Sequence, residues 1–106
     1  MILNVQRFLV LSIFLFSSQA FAAGDPERGA IRGETCLGCH GVTSYTNVYP
    51  TFKVPKLGGQ HGEYIAAALR AYRAGERAHG TMEAQAHGLT DQEIDDVSAY
   101  LAGLKQ

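Results

Sequence analysis

Cys36-Leu37-Gly38-Cys39-His40 constrains this chain more than any other stretch, because it is a chemical anchor and not a packing preference. The pattern C-x-x-C-H is an attachment site for a c-type haem. Two thiols three positions apart can each add to one vinyl group of a porphyrin, leaving two thioether bonds. The adjacent histidine then lies under the ring, with an imidazole nitrogen in reach of the iron. A chain anchored in this way must fold around a flat, largely apolar plate. Cys36 and Cys39 are its only two cysteines, so the motif takes every thiol in the chain.

Other uses of the pair fit less well. A structural zinc takes four closed ligands, often as two Cys/His pairs, and this chain has one pair. A redox dithiol opens a helix after a strand in a βαβ setting, and the sequence has no βαβ pattern. A disulfide between Cys36 and Cys39 would close a very small loop and constrain the unfolded chain little.

Residues 1–22 read as a cleaved secretory signal. Arg7 is the positive flank, Phe8 to Phe16 is the apolar core, and Ala20-Phe21-Ala22 is an A-x-A cleavage box. The apolar run is shorter than the roughly 20 residues that a spanning helix needs. The reading is therefore one domain over 23–106, exported to the periplasm, with no membrane span after cleavage. A domain of this size buries a modest core, to which a covalent haem adds a large apolar surface. Ten acidic against nine basic residues argue against a general nucleic-acid binder, which needs a basic face.

Helix signals dominate the domain. Asp25-Pro26-Glu27 combines a cap, a first-turn proline and an acidic residue at the positive dipole end. The helix it opens runs towards Thr35. Gly29 and Gly33 share one face of it, and helical glycine costs about 1 kcal/mol relative to alanine. Two of them together predict a close helix crossing. Residues 41–59 form a long loop with Pro50 and Pro55, and a loop of that length is packed on something; here the haem is the natural partner. Glu63 to Arg77 reads as a helix whose apolar face is Tyr64, Ile65, Ala68, Leu69 and Tyr72. Thr90 and Glu93 make a capping box. The helix it starts continues to about Leu104, with Ile94, Val97, Tyr100, Leu101 and Leu104 as its buried stripe. Met82 falls in a glycine-flanked loop between these last two helices. No stretch reads as a convincing strand. The fold class is all-α: three to four helices wrapped around one covalently attached haem.

This order of elements resembles a class I c-type cytochrome, of the short bacterial monohaem type and similar to single halves of dihaem bacterial cytochromes. The likeness is carried by Gly24-Asp25-Pro26-Glu27-Arg28-Gly29, by Cys36 to Gly41, and by Pro55-Lys56-Leu57-Gly58-Gly59-Gln60-His61 with Tyr64. It continues through Ala74-Gly75-Glu76-Arg77, Met82, and Leu89 to Leu101. The resemblance implies that the first and last helices cross beside the haem, with Gly29 as the small crossing residue and Tyr100 as the aromatic packed near it. It also implies that the Pro55 carbonyl accepts a hydrogen bond from the non-ligating nitrogen of His40. Such an acceptor fixes a ligand's tautomer and orientation.

Met82 stands where the family places its distal axial ligand. It is the only methionine besides Met1, and its neighbours Thr81 and Glu83 are polar, unlike those of a core-filling methionine. A thioether donates weakly and raises the potential. His61, His79 and His87 are the alternatives, and His79 and His87 straddle Met82. Arg70, Arg73 and Arg77 read as a solvated helix face or as candidates for a haem propionate; Lys53 and Lys56 read as a docking rim.

With His40 and Met82 as iron ligands no substrate site stays open on the metal. The expected function is electron transfer on one haem c, with redox proteins as transient donor and acceptor, and no enzyme activity of its own. The alternatives are a permanent cytochrome subunit of a periplasmic dehydrogenase or oxidase complex, and a haem sensor or small haem enzyme with a displaceable sixth ligand. The covalent link is open to direct test: haem should stay with the polypeptide through acid–acetone extraction and denaturing electrophoresis. Haem in the organic phase, or two titratable thiols in the mature protein, would refute it.

Overall fold

The computed structural model describes residues 24–48 and 51–105. The expected export signal lies outside them, as do Tyr49 and Pro50 of the long loop. Five helices are described: α1 (Pro26–Arg32), α2 (Glu34–His40), α3 (Gly62–Arg73), α4 (Gly80–His87) and α5 (Asp91–Gly103). That is one more than the sequence reading allows, and the differences have local causes.

The expected first helix is two. The Asp25 side chain accepts from the N–H groups of Glu27 and Arg28, and α1 then runs to Arg32. Gly33, a residue of weak helix preference, interrupts it and caps both α1 and α2. The second piece, α2, carries the whole C-x-x-C-H segment. At the other break, α3 stops at Arg73, short of Arg77. Gly75 adopts a left-handed conformation with φ of 77°. Its N–H donates to the Tyr72 carbonyl at 3.2 Å and that of Glu76 to Ala71 at 2.9 Å, the pair of bonds that closes a helix on a glycine.

Met82 lies on a helix, not in a loop. Residues 80–87 carry no apolar stripe, so periodicity does not mark them as helical. What holds α4 is a cap at His79 and the burial of one residue, Ala86. The described residues of 41–61 contain no strand, as expected. An isolated antiparallel bridge joins Thr46 and Lys53, flanked by bonds from Asn47 N–H to Phe52 O and from Val54 N–H to Tyr45 O, both 2.9 Å.

The helices assemble on α5. Its capping box is complete: Thr90 Oγ1 accepts from Glu93 N–H at 3.2 Å, and Glu93 Oε2 accepts from Thr90 N–H at 2.9 Å. Ile94, Val97 and Leu101 are its fully buried side chains; they meet Ile65, Ala66 and Leu69 of α3 and Ala86 of α4. Tyr64 is 52% exposed and does not share the buried face of α3; Ala66 does. Tyr100 and Leu104 are half-buried.

The crossing of α1 over α5 is backbone against backbone. A Cβ placed on Gly29 would overlap the Asp96 carbonyl and come within 2.8 Å of Tyr100 Cβ. At Gly33 it would meet its own helix's Gly29 carbonyl at 2.8 Å and the edge of the Tyr100 ring at 3.2 Å. Asp96, 2% exposed, ties the same crossing together. It accepts from Asp25 N–H (2.7 Å), Arg28 Nε (3.0 Å) and Gln92 Nε2 (2.9 Å). The Arg28 guanidinium, then the Asp25 N–H and the Gln92 amide, hold this carboxyl down at about 2. On the surface Arg70 pairs with Asp95 at 2.7 Å, Arg32 with Glu93 at 3.0 Å, and Arg73 with Asp91. Exposed pairs of this kind add little stability; they orient α3 and α1 on α5.

Gly29→Val should therefore cost about 1–3 kcal/mol in urea unfolding, the usual range for overpacking. Gly33→Val should cost less, because its Cβ would only press on the Gly29 carbonyl and on a Tyr100 ring that can shift, where at Gly29 it would overlap the Asp96 carbonyl outright. Haem attachment should survive both, and equal midpoints for the two variants would refute the backbone contact. Asp96 makes the second prediction. Its folded value lies below the ordinary carboxylate value of about 3.9, so the unfolded chain binds more protons between the two. Its contribution is complete above about pH 4 and is lost as pH falls through about 2. Asp96→Asn should flatten that part of the stability–pH curve. An unchanged acid slope in the variant would show that the carboxylate does not act as described.

Candidate cofactor site

Helical spacing makes the first wall. Positions 36, 39 and 40 are i, i+3 and i+4, so α2 presents Cys36, Cys39 and His40 on one face. That face lines a cavity of about 730 Å³, within the size range of cofactor sites. Val97 and Leu101 of α5 and Ile65, Ala68, Leu69 and Tyr72 of α3 supply apolar lining. The long loop contributes Phe52 and Pro55, and α4 contributes Met82. Cys36, Met82 and Tyr72 are half-buried and pack on the core, so cavity and core are continuous.

His40 Nδ1–H donates to the Pro55 carbonyl oxygen at 2.6 Å. That leaves Nε2 as the nitrogen available to a metal. Burial pushes the Cys36 thiol above its ordinary value, the reverse of what an activated redox thiolate requires. Among the described residues no group of three or more His, Cys, Asp or Glu side chains is placed to hold a metal ion.

The cavity sorts the residues that the sequence leaves equal. Of the three other histidines, His79 lines it together with Met82, whereas His61 and His87 are exposed and do not. Of the three arginines, Arg70 and Arg73 are engaged by α5, and Arg77 lines the cavity with its guanidinium 4.7 Å over the Tyr72 ring. Lys53 and Lys56 also reach the cavity, on exposed loop positions. Sequence reasoning offers Phe52 as part of an apolar partner patch or as cover for the haem, and places Tyr72 on a helix face. Both ring systems pack against His79, with centroids at 5.1 Å and 6.5 Å. The periodicity of α3 marks Tyr72, but nothing local marks Phe52.

These residues fit a covalently held haem. Two thiols and an oriented imidazole stand on one helix, a thioether lines the same space, and most of the remaining wall is hydrocarbon or aromatic. Cys36 and Cys39 would tether the porphyrin, and His40, His79 and Met82 are the imidazole and thioether donors on the same wall.

Known proteins agree with that fit. The family model described as Cytochrome c matches residues 27–105. The chain is similar to cytochrome c-554(548) of Halomonas halodenitrificans, 38% identical over 81 residues, which are 74% of this chain and 94% of that protein. It is similar to cytochrome c4 of Thiocapsa roseopersicina, 41% identical over 80 residues, covering 74% of this chain and 40% of the relative. The crystal structure of reduced recombinant cytochrome c4 from Pseudomonas stutzeri superposes with a TM-score of 0.60 at 31% identity, covering 85% of this chain and 56% of that one. The chain thus spans nearly all of the first relative and about half of the cytochrome c4 chains.

Proposed function

The chain belongs to the cytochrome c family, as an electron carrier with one covalently attached haem c, and we propose that His40 and Met82 are the two axial ligands of its iron. The observation that carries this reading is the shared cavity: an imidazole already oriented by Pro55 and a half-buried thioether line one space with both cysteines. When bound, the haem supplies a one-electron iron couple. The protein's own residues set the conditions for it. The Pro55 carbonyl holds the His40 ring and raises its basicity. The weak thioether donor of Met82 favours the ferrous state and so a higher potential. Leu69, Val97 and Leu101 keep water from the interior. Two side chains on the iron leave no position for a substrate, which separates this reading from a sensor or a small haem enzyme.

The place of work is the periplasm, and the support for it is the signal-like pattern of residues 1–22. Among the described residues no helix is long and apolar enough to cross a membrane. Partners are redox proteins that dock transiently, the mode of small electron-transfer contacts. Ile31 and Phe52, 76% and 48% exposed, line the cavity and offer the apolar contact such docking uses.

The ligand assignment has a spectroscopic test. The ferric protein should show the weak red charge-transfer band of sulfur bound to iron. Met82→Ala should abolish that band and lower the reduction potential, since water or a stronger donor replaces the thioether. A band that persists in Met82→Ala would overturn the assignment.

A further inference from the structure

We propose that His79 is the positioning residue for Met82: it caps the helix that carries the sulfur and so sets how firmly the methionine holds the iron. The inference rests on the reading of Met82 as axial ligand. It starts from the weakness of α4. An eight-residue helix is marginal by itself, and this one buries only Ala86 completely. Its first turn therefore depends on its cap. His79 has extended backbone angles, φ −164° and ψ 107°, and its side chain accepts from the N–H of Met82. The bond is 3.4 Å from Met82 N to His79 Nδ1. The residue whose backbone is capped is the one whose side chain would reach the iron.

Histidine is not among the favoured N-caps, which are Ser, Thr, Asp and Asn. A bulkier ring at this place needs another reason, and the surroundings give one. The His79 ring packs against Phe52, from the long loop, at 5.1 Å between centroids and against the edge of Tyr72, from α3, at 6.5 Å. Tyr72 lies in turn beneath Arg77. Loop and α3 fix the ring, and the ring fixes the first turn of α4. An asparagine would keep the cap and give up the packing; an alanine would give up both.

The test uses the haem-loaded mature protein and added imidazole. Imidazole must displace Met82 to bind ferric iron, so its apparent affinity reports how often the sulfur is off. His79→Ala should raise that affinity about five-fold, the factor that corresponds to a lost cap, with the red band kept because the sulfur stays bound in most molecules. His79→Asn should stay within about two-fold of the native protein, because the cap remains. Thr90→Ala, which removes the cap of α5, should lower the denaturation midpoint and leave the imidazole affinity alone. An unchanged affinity in His79→Ala sinks the proposal, and so does a His79→Asn variant as loose as His79→Ala. A rise in Thr90→Ala equal to that in His79→Ala would reduce the effect to general destabilisation and sink it too. Met82→Ala separates the two layers: a red band that survives there condemns the ligand assignment itself, whereas a band lost there with an imidazole affinity untouched by His79→Ala condemns only the positioning role.

Discussion

The contact between Gly29 and the Asp96 carbonyl fixes the distance between the first and last helices, and the rest of the domain is arranged around that distance. No side chain stands between the two backbones at this point. α1 leads through Gly33 directly into α2, so the same crossing sets where Cys36, Cys39 and His40 are held. α5 meanwhile supplies Val97 and Leu101 to the cavity. A shift of either helix would move both an anchoring wall and a hydrophobic wall. Asp96 reinforces the contact with a polar bond set that only a close approach permits: it takes the Asp25 N–H, the Arg28 guanidinium and the Gln92 amide together.

The site is asymmetric in how firmly it is built. His40 sits in a helix, with its ring bonded to a carbonyl of a proline-restricted loop. Both cysteines stand on the same helix face. Met82 belongs to a short helix without an apolar stripe, held by one cap and one buried alanine. On the proposed ligation, an anchored side and a looser side suit a carrier, in which covalent tethering ensures retention and the weaker axial donor governs the potential. The polar surface follows a similar division. Arg70, Arg73 and Arg32 brace α3 and α1 against α5, and Arg77, together with Arg32, lines the cavity wall.

Much of this was legible in the residues. C-x-x-C-H names its chemistry because two thiols and an imidazole at that spacing have few other uses in a chain with no further cysteine. The capping box at Thr90 and the stripe of Ile94, Val97 and Leu101 mark α5, since capping and 3.6-residue periodicity are local signals. The two glycines on one face point to a crossing. Legibility ended where packing replaced periodicity. α4 was invisible because nothing repeats in it. The split of the first helix at Gly33 was invisible because a glycine can lie within a helix or interrupt it. Asp96 gave no sign of its role, because Arg28 and Asp25, which it ties to α5, lie 68 and 71 positions away.

The sequence by itself determined the chemistry that can be attached and the helices that carry their own periodicity or caps, α3 and α5 above all. These follow from bonds and spacings within a few residues. Only the tertiary structure decided which of several equivalent groups serve. His79 was separated from His61 and His87, Arg77 from Arg70 and Arg73, and Gly29 from Gly33 by where the helices cross. The physical reason is that a side chain's usefulness depends on what lies within a few ångströms, and those neighbours come from distant parts of the chain. Phe52, Tyr72 and His79 meet because a loop, α3 and the start of α4 converge on one cavity, and no local pattern in the sequence records that meeting.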